Sequence, residues 1–215
     1  MREYTTDSRG HAVVIGASIA GLCAAGVLAD FYDRVTVFDR DDLPSTPANR
    51  SGVPQDRHLH LLMARGAQEL EKIFPGLLEE MVAAGVPVLE NRADCIHFGA
   101  AGHVLGTTTL RDEFTAYVPS RPHLEWQIRR RAAAIGNVDI RQRGVTEPHF
   151  DTGAQRVTGV LLDDGGFVAA DLVVDAAGRG SRLPVWLEQW GYQRPTEKLV
   201  DVGICYASQW FRIPD

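Results

Sequence analysis

The sequence predicts an α/β chain built on a parallel sheet covered on both faces. Three observations carry this. An apolar run at 11–15 ends at Gly16 and passes into a stretch rich in Ala and Leu, a strand followed by a helix. A second run at 34–38 alternates β-branched and apolar residues and closes a βαβ unit, whose crossover is expected to be right-handed. A third apolar run at 171–175 leads into Gly178-Arg179-Gly180.

Taken in order, the first ten residues are polar and read as a tail. The helix after the first strand covers 19–30. The connection 40–54 carries three prolines and scattered polar residues. A helical pattern covers 59–74 and ends at Pro75-Gly76, and a shorter one covers 77–84. From 86 to 118 the signals are short strands and turns. Residues 123–134 read as a helix, with Ser120 as its cap. Residues 138–168 read as a β-meander of the segments VDIRQ, VTEPHF, RVTGVLL and FVAA. A short helix is expected at 183–190 and a further strand region at 200–213.

The chain has 215 residues, 45% of them hydrophobic and 23% charged, with a net charge of −6. This is globular composition. It lacks the basic excess that a nucleic-acid partner requires. Cys23, Cys95 and Cys205 are odd in number and widely spaced, which points to buried thiols in a reducing cytoplasm rather than a disulfide framework. Residues 12–29 carry no charge, but Gly16, Ser18, Gly21 and Gly26 weaken a spanning helix and the preceding flank mixes signs. No membrane span is expected.

The strongest motif is GASIAG, residues 16–21. It follows a strand, opens a helix, and is followed at the end of the second strand by Asp39. That is the context of a dinucleotide site. Gly16 permits the tight turn, Gly21 lets helix and strand approach, and the helix N-terminus offers free N–H groups to a pyrophosphate. Asp39 is placed to accept from a ribose hydroxyl pair. Ser18 stands where a second glycine is usual; it narrows the phosphate approach, yet its hydroxyl can donate to a phosphate oxygen. A nucleophile elbow at Ser18 is disfavoured, because only fifteen residues precede Gly16 and Ala20 breaks the G-x-S-x-G pattern. His58 and His60 lack a third ligand at metal spacing, so no metal is expected; they read as lining a cofactor loop or a helix face. Arg129-Arg130-Arg131 reads as the solvated face of its helix. Trp186 and Trp190, four apart, read as core.

The segments GASIAGL, VFDRD, RSGVPQDRHLHLLMARG, SRPHLEWQIRRRA and DLVVDAAGRGSRLPVWL together resemble the FAD-dependent monooxygenases of the aromatic-hydroxylase-like family, over nearly the whole chain from His11. The resemblance implies a Rossmann-like, glutathione-reductase-type FAD-binding fold interleaved with a β-rich substrate region. It implies FAD-binding parts at 8–84 and 119–192, substrate-region strands at 85–118, and the start of a substrate domain at 193–215. Gly16, Ser18 and Gly21 would cradle the FAD pyrophosphate and Asp39 the adenosine ribose. Arg40 takes the place of a basic residue after the acid. Arg57, with Arg50 as the alternative, would approach the flavin. Arg121 would contact the ribityl-pyrophosphate region, and the Val145 backbone the adenine. No side chain is expected as a covalent catalyst, because the flavin carries the redox chemistry.

Two departures qualify the resemblance. Ala177 stands where the family has a carboxylate serving FAD and the nicotinamide cofactor, and a methyl group accepts no hydrogen bond, which counts against NADPH or NADH as reductant. The family's second flavin motif, a Gly-Asp before a helix, has no counterpart in these residues. The chain is therefore expected to be the N-terminal part of such an enzyme, acting on a small organic substrate. The alternatives are a non-catalytic nucleotide-binding remnant, or one half of a split flavoenzyme whose partner is a separate chain.

Overall fold

A computed structural model of the chain describes residues 10–90, 99–104, 115–205 and 207–209. Its centre is a four-stranded parallel sheet. The strands are β1 (His11–Ile15), β2 (Arg34–Asp39), β7 (Val138–Gln142) and β11 (Leu172–Asp175), in the order β11-β1-β2-β7. β1 is the interior strand that brings the two glycine turns together: Ile15 pairs with Asp175 on one side and with Phe38 on the other.

Side chains alternate across a strand, so β1 feeds two cores. Ala12 and Val14, with Val35 and Val37 of β2, pack against Leu22 and Ala25 of α1 (Ile19–Leu28) and Leu70 of α2 (Ala64–Ile73). Leu77 and Met81 of α3 (Leu77–Ala83), and Leu124 and Ile128 of α4 (Arg121–Ala133), complete this layer. Val13, Ile15 and Phe38 face the other way, onto Val160 and Ala170. Val160 belongs to an antiparallel sheet of β8 (Val145–Asp151), β9 (Arg156–Leu162) and β10 (Phe167–Ala169).

The meander therefore has three strands rather than four. The VDIRQ segment, β7, joins the parallel sheet beside β2, with Val35 opposite Val138. Its alternation suits either partner; the free edge of β2 is the one it fills. Short antiparallel pairs form between β3 (Val88–Glu90) and β6 (Thr115–Tyr117), and between β4 (Gly99–Ala100) and β5 (His103–Val104). Helix α5 (Leu183–Gln189) follows β11, with Trp186 buried and Trp190 stacked on Phe150 at 4.9 Å.

His11 opens β1 between the two layers and is 7% exposed. Its Nδ1 lies 2.7 Å from the Ala169 carbonyl oxygen and 3.0 Å from Arg34 Nη2, and its Nε2 lies 2.8 Å from the Thr36 hydroxyl. Asn137 ties the far end of α1 to the loop before β7 by donating to the carbonyls of Ala29 and Tyr32.

Three further expectations are revised. Helix α2 begins at Ala64, not at 59, because the backbone of Leu62 exchanges hydrogen bonds with Tyr117 and so runs extended. His58 and His60 accordingly lie on an extended segment rather than a helix face. No strand forms over the described residues from 193 onward; Leu199, Val200, Val202 and Ile204 are exposed, with no apolar surface beneath them. Residues 206 and 210–213 of the expected strand region, as well as Cys95, lie outside the described residues. Cys23 is half-buried, its thiol pushed up to about 11 by burial, whereas Cys205 is exposed and not the buried thiol expected. Among the described residues, no helix is long and apolar enough to cross a membrane.

Candidate functional site

The turn from β1 into α1 is built by its glycines. Gly16 has φ +104°, and a Cβ there would sit 2.6 Å from the Ala176 carbonyl oxygen of the neighbouring turn. A Cβ at Gly21 would fall 1.8 Å from the Gly16 carbonyl oxygen, so the first turn of the helix touches the backbone before it. This close approach aims the helix N-terminus out over the end of the sheet.

That N-terminus is uncapped. Ser18 has the extended backbone of a capping residue, but its hydroxyl makes no cap bond. The amides of Ser18, Ile19, Ala20 and Gly21 meet no acceptor among the described residues. Four open N–H groups at the positive end of a helix dipole form an anion site.

The Ser18 hydroxyl is engaged elsewhere. It donates to Glu125 Oε2 at 2.8 Å and accepts from Arg121 Nη2 at 2.9 Å. Glu125, whose side chain is 4% exposed, lies amid three guanidiniums: Arg50 Nε at 2.8 Å, Arg121 Nη1 at 2.9 Å and Arg129 Nη1 at 3.8 Å. The first two contacts are short but off the N–H direction, so Arg50 Nε and Arg121 Nη1 are buried donors with no hydrogen-bond acceptor among the described residues. Unspent buried donors are costly unless something completes them.

Asp39 closes the other side. Its Oδ2 accepts from the Ala17 amide at 2.7 Å and from Arg50 Nη1 at 3.3 Å, and its Oδ1 from the Asp41 amide at 2.9 Å. Arg50 also donates its backbone N–H to Asp56 Oδ2 at 3.0 Å. Burial, the largest influence on Asp56, pushes its carboxyl above the ordinary value, and its Oδ1 has no partner among the described residues. Asp56 forms part of the wall of a cleft of about 650 Å³ with Pro47, Ala48, Asn49, Arg57, Ser120 and Pro122.

The structure thus gathers Gly16, Ser18, Gly21, Asp39 and Arg121 at one place. It adds Arg50, Glu125, Arg129 and Asp56, which sequence reasoning did not assign or ranked second. Arg57 lies on the cleft wall; Arg57 and Arg40 are exposed and without a bonding partner among the described residues. Val145 begins β8, is half-buried against the meander core, and takes no part in the network. The arginine run is not a solvated face: Arg129 turns into the network and bonds the Pro44 carbonyl, Arg131 pairs with Glu80, and Arg130 alone is exposed, 4.8 Å from the Trp126 ring. Ser120 caps α4 as expected, accepting from the His123 amide at 3.3 Å. In the turn after β11, Asp175 accepts from the Ala177 amide and the Ser181 hydroxyl, so a carboxylate stands two residues before the missing one. No group of three metal-ligating side chains converges among the described residues.

A parallel sheet with a glycine turn into α1, an acid at the end of β2 and an antiparallel sheet on the opposite face is the fold of FAD-dependent monooxygenases. The structure is similar to that of PqsL of Pseudomonas aeruginosa, "a probable FAD-dependent monooxygenase", with a TM-score of 0.62 at 20% identity, covering 83% of this chain and 46% of PqsL. It is also similar to the flavin-dependent brominase Bmp2, with a TM-score of 0.53 at 20% identity over 84% of this chain and 40% of Bmp2. In sequence the chain is 70% identical over 219 aligned positions to Protein Rv3254 of Mycobacterium tuberculosis, covering 97% of the chain and 46% of that protein. It is 30% identical to the kynurenine 3-monooxygenase of Salinispora arenicola over 87% of the chain and 43% of that enzyme. The chain therefore spans less than half the length of the curated relatives it matches. No protein-family model matches it.

Proposed function

We propose that the chain is the dinucleotide-holding part of a flavin-dependent monooxygenase and binds FAD at the β1–α1 turn. The observation that carries this is the set of four open amides at the α1 N-terminus, beside the Arg121 guanidinium that reaches the Ser18 hydroxyl at 2.9 Å. Gly16 and Gly21 allow the diphosphate to reach the backbone, the Ser18 amide and Arg121 donate to its oxygens, and Asp39 accepts from the adenosine ribose through the capacity left on Oδ1. Arg50 braces Asp39 through Nη1, the Val145 backbone would contact the adenine, and Arg40 takes the place of a basic residue after the acid. The flavin, when bound, supplies electron transfer and oxygen insertion into a small organic substrate. The chain's own residues bind and orient it, and no side chain serves as a covalent catalyst. In this reading 8–84 and 119–192 form the flavin-binding body, 85–118 contribute to the substrate region, and 193–215 lead into a substrate domain.

A second reading is supported by the exposure of Leu199, Val200, Val202 and Ile204, the first of which is 90% exposed. Here the chain is a nucleotide-binding module completed by another polypeptide, and its redox activity depends on that partner.

The test is titration of the purified chain with FAD, followed by flavin fluorescence and the visible band. FAD is expected to bind, and Asp39→Ala to weaken it by about 1–3 kcal/mol, the range for hydrogen bonds to a charged group. Free-flavin fluorescence that is unchanged by excess chain would remove the flavin reading, and equal affinity in parent and variant would remove Asp39 from the site.

A further inference from the structure

The far half of α4 borders a second cavity, of about 290 Å³, which lies between the loop at 43–45, the helix and Ile140 of β7. That volume is at the small end of the range for small-molecule sites, about 300–1,000 Å³, with room for a single ring and its substituent. The cavity shares no lining residue with the cleft at Asp56. The sheet order ends at β7, so among the described residues no further strand fills the space beyond Ile140. Two bonds pin the loop to α4. Trp126 Nε1–H donates to the Ser45 carbonyl at 2.7 Å, and Arg129 donates to the Pro44 carbonyl. The cavity is therefore preformed, and a ligand does not bear the cost of ordering the loop.

The chemistry of the wall limits what can enter. Leu43, Ala133 and Ile140 offer aliphatic surface, while the donors of Trp126 and Arg129 are engaged with the loop. Arg130 is different. It lies 4.8 Å from the centre of the Trp126 ring and donates to Gln127 Oε1 at 3.0 Å, but it has no ion-pair partner among the described residues. No carboxylate lines the cavity among the described residues. Arg129 is balanced by Glu125, 3.8 Å from its Nη1, whereas the charge of Arg130 is unmatched. Stacking on the indole holds that guanidinium at the cavity wall, and its paired donors match the two oxygens of a carboxylate. A phosphate would meet the same charge but would set its remaining oxygens against aliphatic side chains.

We propose that this cavity is a second small-molecule site, for an apolar monocarboxylate with a body the size of one ring. The body packs against Leu43, Ala133 and Ile140, and the carboxylate pairs with Arg130. The site is separate from the β1–α1 turn and does not rest on the FAD reading. Charge and apolar body are both required: an acid without the body loses the aliphatic wall, and an alcohol of the same shape leaves Arg130 unmatched.

The experiment follows the indole N–H signal of Trp126 by NMR in the 215-residue chain during titration with cyclohexanecarboxylate, cyclohexylmethanol, acetate and inorganic phosphate. Cyclohexanecarboxylate is saturated, so it has no ring face to stack in a nucleotide site. It is expected to move the signal saturably, and the other three to bind roughly tenfold or more weakly. Arg130→Gln should lower its affinity roughly ten- to a hundredfold while leaving cyclohexylmethanol within about twofold. Ala133→Phe, which fills the cavity, should abolish the binding of both. Arg130 and Ala133 are exposed, so neither change enters the core. The absence of a saturable shift, or equal affinity in the parent for cyclohexanecarboxylate and any of the other three, would overturn the proposal without need of a variant. Binding that survives both substitutions would place the ligand elsewhere and overturn it as well. The flavin reading stands in each of these cases, since no readout passes through FAD.

Discussion

Replacing Glu125 by glutamine keeps the shape of the side chain and removes one buried negative charge. The guanidiniums of Arg50, Arg121 and Arg129 lie 2.8, 2.9 and 3.8 Å from its oxygens, and its side chain is 4% exposed. With Asp39 and Asp56 the cluster holds three cations and three anions, formally neutral. Glu125→Gln leaves it at one positive charge out of water. Breaking a buried ion pair from one side costs about 3–5 kcal/mol, because the remaining charge stays desolvated. Domain stabilities are typically about 5–15 kcal/mol, so the variant should fold but with little reserve. Anion binding should move the opposite way. One unit charge acting on a phosphate charge about 6 Å away at an effective dielectric of about 20 contributes about 3 kcal/mol before salt screening, so ADP affinity should rise by roughly tenfold or more. Urea unfolding and ADP titration at low and high salt read the two effects separately. The expected result is a lower urea midpoint together with tighter ADP binding, the latter fading as salt rises. An unchanged midpoint, or stability and affinity falling together, would refute the reasoning that Glu125 balances these arginines electrostatically.

Two further outcomes follow from the same structure. Gly21→Ala should abolish folding, since its Cβ would fall 1.8 Å from a backbone oxygen that has nowhere to go; soluble yield and far-ultraviolet circular dichroism check this. Stability should also fall on acidification through His11, whose pKa is lowered from 6.5, first by burial and then by the nearby Arg34. The unfolded chain takes up the proton at higher pH than the folded one, so this contribution is complete above about pH 6.5 and is lost as pH drops through the folded value. Urea midpoints between pH 7.5 and 5 should show the decline, and His11→Gln should flatten part of it; an identical slope in both would assign the effect elsewhere.

What could be read from the sequence was what local pattern encodes. The runs at 11–15 and 34–38, the glycines of GASIAG and the acid at Asp39 announce β1, α1, β2 and the turn between them, because each is set by neighbours within a few residues. The Ser120 cap was legible for the same reason. Partnership across the chain was not. VDIRQ alternates as any strand does, and nothing in it says that β2, a hundred residues earlier, is its neighbour. The HLHLLM segment reads as helical by hydrophobicity, yet Leu59, Leu61 and Met63 are its most exposed residues, a period-2 pattern that marks extended chain. Nothing in the local sequence singles out Arg50, Asp56 and Glu125 as the buried charges. Which charges are buried depends on what folds against them, and Glu125 meets Arg50 across 75 positions of sequence.

Helix α4 carries a consequence for how this chain tolerates change. Arg121, Glu125 and Arg129 recur at four-residue intervals and point into the site, while Leu124, Ile128 and Ala132 occupy the neighbouring stripe in the main core. The helix is interior on both stripes, one charged and one oily. The usual guide to variant effects, that surface-type residues drift freely and greasy ones do not, is therefore inverted along part of it. An Ile128→Val exchange should be milder than Arg121→Lys, because a single ammonium cannot reproduce a fork that reaches Ser18 and Glu125 at once. Among variants of this protein, a conservative-looking change of charge type within α4 is the one to regard as damaging.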